Sequence, residues 1–301
     1  MQVHTGPVAG GRTRGLPVTA RYQENLVRVP WALVRLPPFP LVATRVLHLV
    51  AKKDSSLHQL SALISTDQAF SSEILTIVNS AIFPIHTTVT SIQQGIAALG
   101  LERVKGLAVT VGVRAYLGGA LKNPSLQAIW RHSLACGLLA EEYASASLMD
   151  KGTAYTAGIM HDIGRAALAV IQPGRYANFL QSVQEEPFEV LQREHEMFEL
   201  DHCEAGRRLA VDWKLPNQFL NIISRHHGAH EGGAFDLLAV IRLACRMADT
   251  IGFAAAPSLK ACSYQRLMSE FPTRVRELLP QEPEDLAFRI ATKVNSIESV
   301  Y

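Results

Sequence analysis

The stretch Ile159-Met160-His161-Asp162-Ile163-Gly164-Arg165 sets an imidazole beside a carboxylate in the middle of an apolar, small-residue run. Ala154-Tyr155-Thr156-Ala157-Gly158 leads into it and Ala166-Ala167-Leu168-Ala169-Val170 follows. A run with so little polar surface belongs in a protein interior, so the pair is expected within, or at the end of, a buried helix. Burying Asp162 without a partner would be costly. A cation, the Arg165 guanidinium or backbone N–H groups could each satisfy it.

Working outward, the three- and four-residue spacing of apolar side chains continues in both directions. Towards the N-terminus it marks Leu41 to Ala51, Ser56 to Ile64, and a third helix carrying Phe70, Ile74, Leu75, Ile77 and Val78, with Thr66 or Asp67 as its cap. Gly100 is a helix stop, Leu101 to Leu117 a further apolar helix broken at Gly118-Gly119, and Ser125 to Leu148 a long alanine-rich one. Beyond the opening stretch, helices are expected near 174 to 185 and 187 to 198. Another is capped by Asp201, one starts at Pro216 and runs to about His226, one spans Phe235 to Ile251, and a terminal one spans Asp285 to Ser296. Pro272 to Pro283 reads as a connection. Alternating strands and hairpin turns are missing from the pattern, so the fold class is all-α.

With 301 residues, 48% of them hydrophobic, the chain can bury a sizeable core. No segment approaches 18 uninterrupted apolar residues, and the N-terminal stretch has arginines and glycines but no apolar signal-peptide core, so a cytoplasmic chain with no membrane partner is expected. Cys136, Cys203, Cys245 and Cys262 form no C-x-x-C pair and read as reduced, buried thiols. A formal charge of +2 gives no basis for a nucleic-acid partner. The basic excess is local: Arg12, Arg14, Arg21, Arg28 and Arg35 stand against Glu24 alone. Residues 1–25 hold too little apolar surface to offset ordering and read as a disordered basic tail.

Leu36-Pro37-Pro38-Phe39-Pro40, Ile64-Ser65-Thr66-Asp67, Val78-Asn79-Ser80-Ala81 and Ala98-Leu99-Gly100-Leu101-Glu102-Arg103 follow one another in the first half. In the second come Ile129-Trp130-Arg131-His132-Ser133, Ala157 through Arg165, Asp201-His202-Cys203-Glu204-Ala205-Gly206, Trp213-Lys214-Leu215-Pro216 and His226-His227. This ordered series resembles the HDOD family, the HD-related output domain, over roughly residues 30 to 255. The resemblance implies a two-lobed helical bundle with an HD-domain-like C-terminal lobe. The expected organisation is a tail over 1–25, an HDOD domain over 26–260 divided into lobes 26–120 and 121–260, and a helical extension over 261–301. With fewer than 40 residues before the match and fewer than 50 after it, no sensor domain is expected.

A His-Asp dipeptide arises by chance about a third of the time in a chain with this many of each residue, so the pair alone is a weak motif. His132, His161, Asp162, His202, His226, His227 and Asp249 together offer nitrogen and carboxylate donors suited to zinc, iron or manganese. On a regular helix His161 and Asp162 point about 100° apart, so neighbouring helices must supply the rest. The resemblance assigns these roles more narrowly. HD phosphohydrolases would place ligands at His132, His161-Asp162 and Asp249, and cyclic-dinucleotide phosphodiesterases of the HD-GYP subtype would add His202, His226 and His227, with Arg165 where they carry a lysine. Gly228-Ala229-His230-Glu231-Gly232-Gly233 replaces the Gly-Tyr-Pro signature, and Ala128 stands where some relatives have an acidic ligand. One or two divalent ions are therefore expected, not three.

Two functions follow. The leading one is a bacterial signal-transduction output or adaptor module that acts by binding a signalling protein, with a nucleotide or similar ligand in the HD-like pocket. The alternative is a metal-dependent phosphohydrolase of nucleotides or cyclic dinucleotides. In that case Asp162 would hold the ion that activates water, and Arg165 would steady the phosphate oxygens. His195, His48 and His58 read as ordinary surface or core-edge histidines. Trp130 and Trp213 read as core anchors.

Overall fold

The computed structural model describes residues 1–2, 38–52, 54–182, 190–228, 234–256 and 263–301. Nearly all of the basic tail, Leu36 and Pro37, Pro187, the loop residues 229–233 and Cys262 lie outside the described residues. Every regular element among those described is helical.

The first lobe packs α1 (Leu41–Val50), α2 (Leu57–Ile64), α3 (Gln68–Val78) and α4 (Ile92–Leu99) around α5 (Leu101–Leu117). Its helix starts follow from local chemistry. Ser56 and Gln59 exchange side-chain and backbone hydrogen bonds in a capping box at α2. Asp67 accepts from the Phe70 N–H at 3.0 Å to start α3. Gly100, at φ 88°, ends α4 and starts α5 in one residue, a backbone conformation that a side chain would strain. Asn79 donates to the Leu75 and Val89 carbonyls and accepts from the Val89 N–H, each at 2.8 Å, so it pins the loop after α3 within this lobe. The run Leu101–Lys122, which is α5 and the 3-10 turn after it, is long and apolar enough by composition to cross a membrane. Of its apolar window, 78% is buried inside the protein, because helices of both lobes pack around it.

The second lobe comprises α6 (Pro124–Ala146), α7 (Lys151–Met160), α8 (Ile163–Ile171), α9 (Pro173–Ser182), α10 (Val190–Phe198), α11 (His202–Asp212), α12 (Asn217–Arg225) and α13 (Leu237–Ala248). Two close crossings set its geometry. At Gly137 and Gly158 the backbones of α6 and α7 touch, since a Cβ on Gly158 would lie 2.6 Å from the Gly137 Cα. At Gly164 and Gly206, α8 meets α11 just as closely, with the Gly206 N 2.7 Å from where a Gly164 Cβ would stand. The first crossing brings His132 to the His-Asp pair, and the second brings His202.

One hydrophobic core runs through both lobes, from Phe39 to Ile297, with a smaller cluster under α9 and α10 that includes Leu168, Tyr176, Phe179 and Phe198. The lobes join where Phe39 stacks on Trp213 with ring centroids 4.7 Å apart and Tyr116 meets Trp213 edge-on at 5.7 Å. Trp213 is thus a core anchor, as read from the sequence. The C-terminal part packs into the same core through α14 (Tyr264–Ser269), α15 (Thr273–Arg276) and α16 (Pro283–Glu298). Neither α14 nor α15 was expected; both are too short for an apolar stripe to declare itself. Glu142 of α6 accepts from Arg289 and Lys293 of α16, each at 2.8 Å, which ties the last helix to the bundle.

Candidate metal centre

The helical run ends at Met160, His161 closes α7 as its C-cap, and Asp162 starts α8. This break lets two adjacent side chains turn inward together. Asp162 makes no capping bond to its own helix, so its carboxylate is left for the interior. Four imidazoles converge on it: His132 from α6, His161, His202 from the first turn of α11, and His226 from the end of α12. All four and Asp162 are buried.

Each ring is held by its Nδ1. His161 Nδ1 lies 2.6 Å from the Gly158 carbonyl, His226 Nδ1 3.1 Å from that of Ile223, and His132 Nδ1 2.8 Å from that of Phe253. His202 Nδ1 lies 2.6 Å from Glu194 Oε2. Carbonyl and carboxylate oxygens only accept, so each Nδ1 carries the proton, and a neutral ring then presents a lone pair at Nε2. Burial pushes His161 down to about 3, with Asp162 only partly offsetting it. Burial and the Arg165 guanidinium hold His202 well below the usual range. Both rings are therefore neutral at neutral pH. Burial alone would lower His132, but the Cys245 thiol and the Asp249 carboxylate beside it raise it well above the ordinary value.

These Nε2 atoms face one another and the carboxylate. His132 Nε2 is 3.2 Å from His161 Nε2, and each lies 3.8 Å from Asp162 Oδ2. His226 and His202 approach Asp162 Oδ1 at 3.1 and 3.4 Å. Among the described residues the buried His202 Nε2 has no hydrogen-bond partner. Lone pairs that face a carboxylate or one another repel unless a proton or a cation lies between them; a proton on His132 Nε2 can bridge to His161, and a divalent ion can bridge the whole set. A tetrahedral ion with bonds of about 2.0–2.2 Å to nitrogen and oxygen spaces its ligands roughly 3.3–3.6 Å apart, close to the distances found here. The donor set fits a divalent metal held by His132, His161 and Asp162, with His226 and His202 on the other carboxylate oxygen.

Arg165 is buried and points at this carboxylate, its Nε 3.0 Å from Asp162 Oδ2. Burial would raise the Asp162 pKa, but Arg165 and His161 hold it well below the usual carboxylate range. His227 sits at the exposed rim, its ring 4.3 Å from that of His226 and 4.9 Å from that of His202. Asp249 lies behind His132, its Oδ1 3.3 Å from Nδ1, the nitrogen turned away from His161. It opens a π-helical turn, Asp249–Phe253, which also delivers the Phe253 carbonyl to that nitrogen.

Sequence reasoning overlooked Glu194 and Cys245. Glu194 is fully buried; it accepts from the His202 backbone N–H at 2.9 Å and from the Tyr176 hydroxyl at 2.6 Å, and it lies 3.8 Å from Arg165. Its signal was present: Val190, Glu194 and Phe198 are spaced by four and share the buried face of α10. His195 beside it is exposed, as expected. Cys245 Sγ lies 3.5 Å from His132 Nε2. A cavity of about 260 Å³ opens beside the cluster, lined by His226, His227, Arg242, Cys245, Arg246 and Asp249.

The model of the HDOD domain matches residues 36–229, about two thirds of the chain. This chain belongs to the HDOD family. A protein of uncharacterised function from Treponema pallidum (strain Nichols) is 26% identical over 196 residues, which is 64% of this chain. The match spans 37% of that relative, little more than a third of its length. An HDOD domain protein of known structure from Geobacter sulfurreducens superposes with a TM-score of 0.70 at 19% identity, covering 89% of this chain and 94% of its own. A candidate phosphohydrolase from Shewanella amazonensis SB2B gives 0.65 at 20% identity, covering 90% and 99%. A candidate signal transduction protein from Marinobacter aquaeolei VT8 gives 0.64 at 20% identity, covering 88% and 58%. At such identities the likeness establishes the HDOD fold. The match ends at residue 229, so Cys245 and Asp249 lie beyond it.

Proposed function

We propose that this HDOD chain is a bacterial signal-transduction output module that works by binding. In this reading its second lobe carries a divalent ion that fixes the shape of the bundle, and its partner is a cytoplasmic signalling protein. The observation that carries the reading is the placement of Arg165. This guanidinium, which would steady a phosphate in a hydrolase, is buried and spent on the carboxylates of Asp162 and Glu194. Turnover would need it to face bound substrate.

A second reading, a metal-dependent phosphohydrolase of nucleotides or cyclic dinucleotides, is favoured by the cavity beside the cluster. That cavity reaches His226 and His227 and carries Arg242, whose guanidinium lies 3.0 Å from the Arg225 carbonyl. The test is a phosphodiesterase screen on the purified full chain, supplied in turn with zinc, manganese and ferrous iron, beside His161→Ala and Asp162→Ala. Bound metal without turnover is expected. Hydrolysis that disappears in both variants would replace the binding reading with the enzymatic one.

A further inference from the structure

We infer that Cys245 is a thiolate ligand of this ion and completes a closed sphere of two histidines, one aspartate and one cysteine. The inference rests on the metal reading above and goes beyond it in naming a donor that no histidine-aspartate motif contains. Cys245 and Asp249 are four residues apart on α13 and the turn that continues it, so they share one face. Asp249, the residue that the HD pattern would use, meets His132 at Nδ1, the nitrogen turned away from His161. One helical turn earlier, Cys245 Sγ lies 3.5 Å from His132 Nε2, the nitrogen that faces the cluster. Sγ, His132 Nε2 and the ligand nitrogen of His161 all lie within 4.8 Å of one another.

Four of the six edges of this polyhedron are set by close contacts, and the sulfur lies within 4.8 Å of the His161 nitrogen. The four are 3.2 Å between the two imidazole nitrogens, 3.8 Å from each to Asp162 Oδ2, and 3.5 Å from His132 to sulfur. Bonds of about 2.0–2.1 Å to nitrogen and 2.3 Å to sulfur require edges of that order. On binding, the thiol gives its proton to solvent as the sulfur–metal bond forms. Asp249 then serves as an outer partner that holds the His132 ring by its far nitrogen.

Two consequences separate this from a histidine-carboxylate centre. Thiolate donation turns the preference towards zinc and away from manganese. Four protein ligands also leave no open position for a water, which is the pattern of a structural site.

The test uses the full chain loaded with cobalt(II) in place of zinc. A thiolate-to-cobalt charge-transfer band is expected in wild type, lost in Cys245→Ser and kept in Cys203→Ser, whose sulfur lies by His202 and His227. Zinc affinity should fall in Cys245→Ser by at least the roughly 10–100-fold that loss of an outer partner costs. X-ray absorption of the zinc-loaded wild type, which needs no variant to fold, should show one sulfur at about 2.3 Å. Bound metal with nitrogen and oxygen neighbours only, or a charge-transfer band that survives in Cys245→Ser, would overturn the inference and leave the metal centre standing. A wild type that binds neither cobalt nor zinc would overturn both.

Discussion

Replacing Gly164 by alanine should push α8 away from α11 and pull His202 out of the cluster. The added methyl would run into the His202 carbonyl oxygen and lie 2.7 Å from the Gly206 N and 2.8 Å from the His202 carbonyl carbon. Comfortable contacts between such atoms begin near ~3.5 Å, so the Gly206 N alone requires the helices to part by about 0.8 Å and the carbonyl oxygen requires more, and all these obstacles are backbone that cannot rotate aside. Overpacking of this kind costs about 1–3 kcal/mol or more. For a chain this long that is a fall in Tm of roughly 2–5 °C. The same displacement would carry His202 Nε2 beyond its present 3.4 Å from Asp162 Oδ1 and so loosen an outer contact of the carboxylate that holds the ion. Thermal unfolding and zinc titration of Gly164→Ala, set beside Gly174→Ala, would read both effects. Gly174 is exposed in α9 with nothing within 4 Å of an added Cβ, so its alanine variant should match or exceed wild type. If Gly164→Ala melts with wild type and binds zinc as tightly, the close crossing of α8 and α11 does not position the site.

Other perturbations have separable outcomes. Glu194→Gln removes the charge that holds His202 Nδ1 and faces Arg165, so calorimetric titration should find zinc affinity lowered by about 10–100-fold. Asn79→Ala deletes two hydrogen bonds to Val89 and one to the Leu75 carbonyl and should lower stability in urea by about 1–3 kcal/mol, with zinc affinity unchanged because the loop is in the other lobe. Phe39→Ala empties the aromatic joint with Trp213 and should cost about 3–5 kcal/mol by the same assay; a loss under about 1 kcal/mol would mean the joint is not a stabilising contact. In chelator, acid should destabilise the chain through His161. Its folded pKa, depressed to about 3, lies below the unfolded value, so between about pH 6.5 and 3 only the unfolded chain takes up this proton. Stability should fall by up to ~1.4 kcal/mol per pH unit on that account, and urea midpoints that do not move between about pH 7 and 5 would contradict the neutral buried ring.

Much of the frame was legible because it is local. Ser56, Asp67 and Asp201 cap the helices they precede, Gly100 turns the chain where a stop was read, and the His161-Asp162 pair sits at a helix end. What a linear pattern could not supply is the way distant faces meet. Glu194 looked like one charge in the solvated run Arg193-Glu194-His195-Glu196, yet α10 turns it onto His202 and Arg165. Asp249 carried the expected residue type, but it ends α13 beside Nδ1 of His132, while Cys245, one turn earlier on the same face, meets Nε2 on the side of the cluster. The close crossings at Gly137–Gly158 and Gly164–Gly206 belong to the same category, since the need for glycine there is created by a helix from elsewhere in the chain.

The central claim is that the buried imidazoles whose Nε2 atoms face Asp162 and one another are held together by a metal ion. Equilibrium dialysis of the full chain against zinc, followed by elemental analysis, tests it most directly. The account predicts about one tightly held ion per chain in wild type and none in His161→Ala. No metal above background in wild type, or equal metal in both proteins, would contradict it.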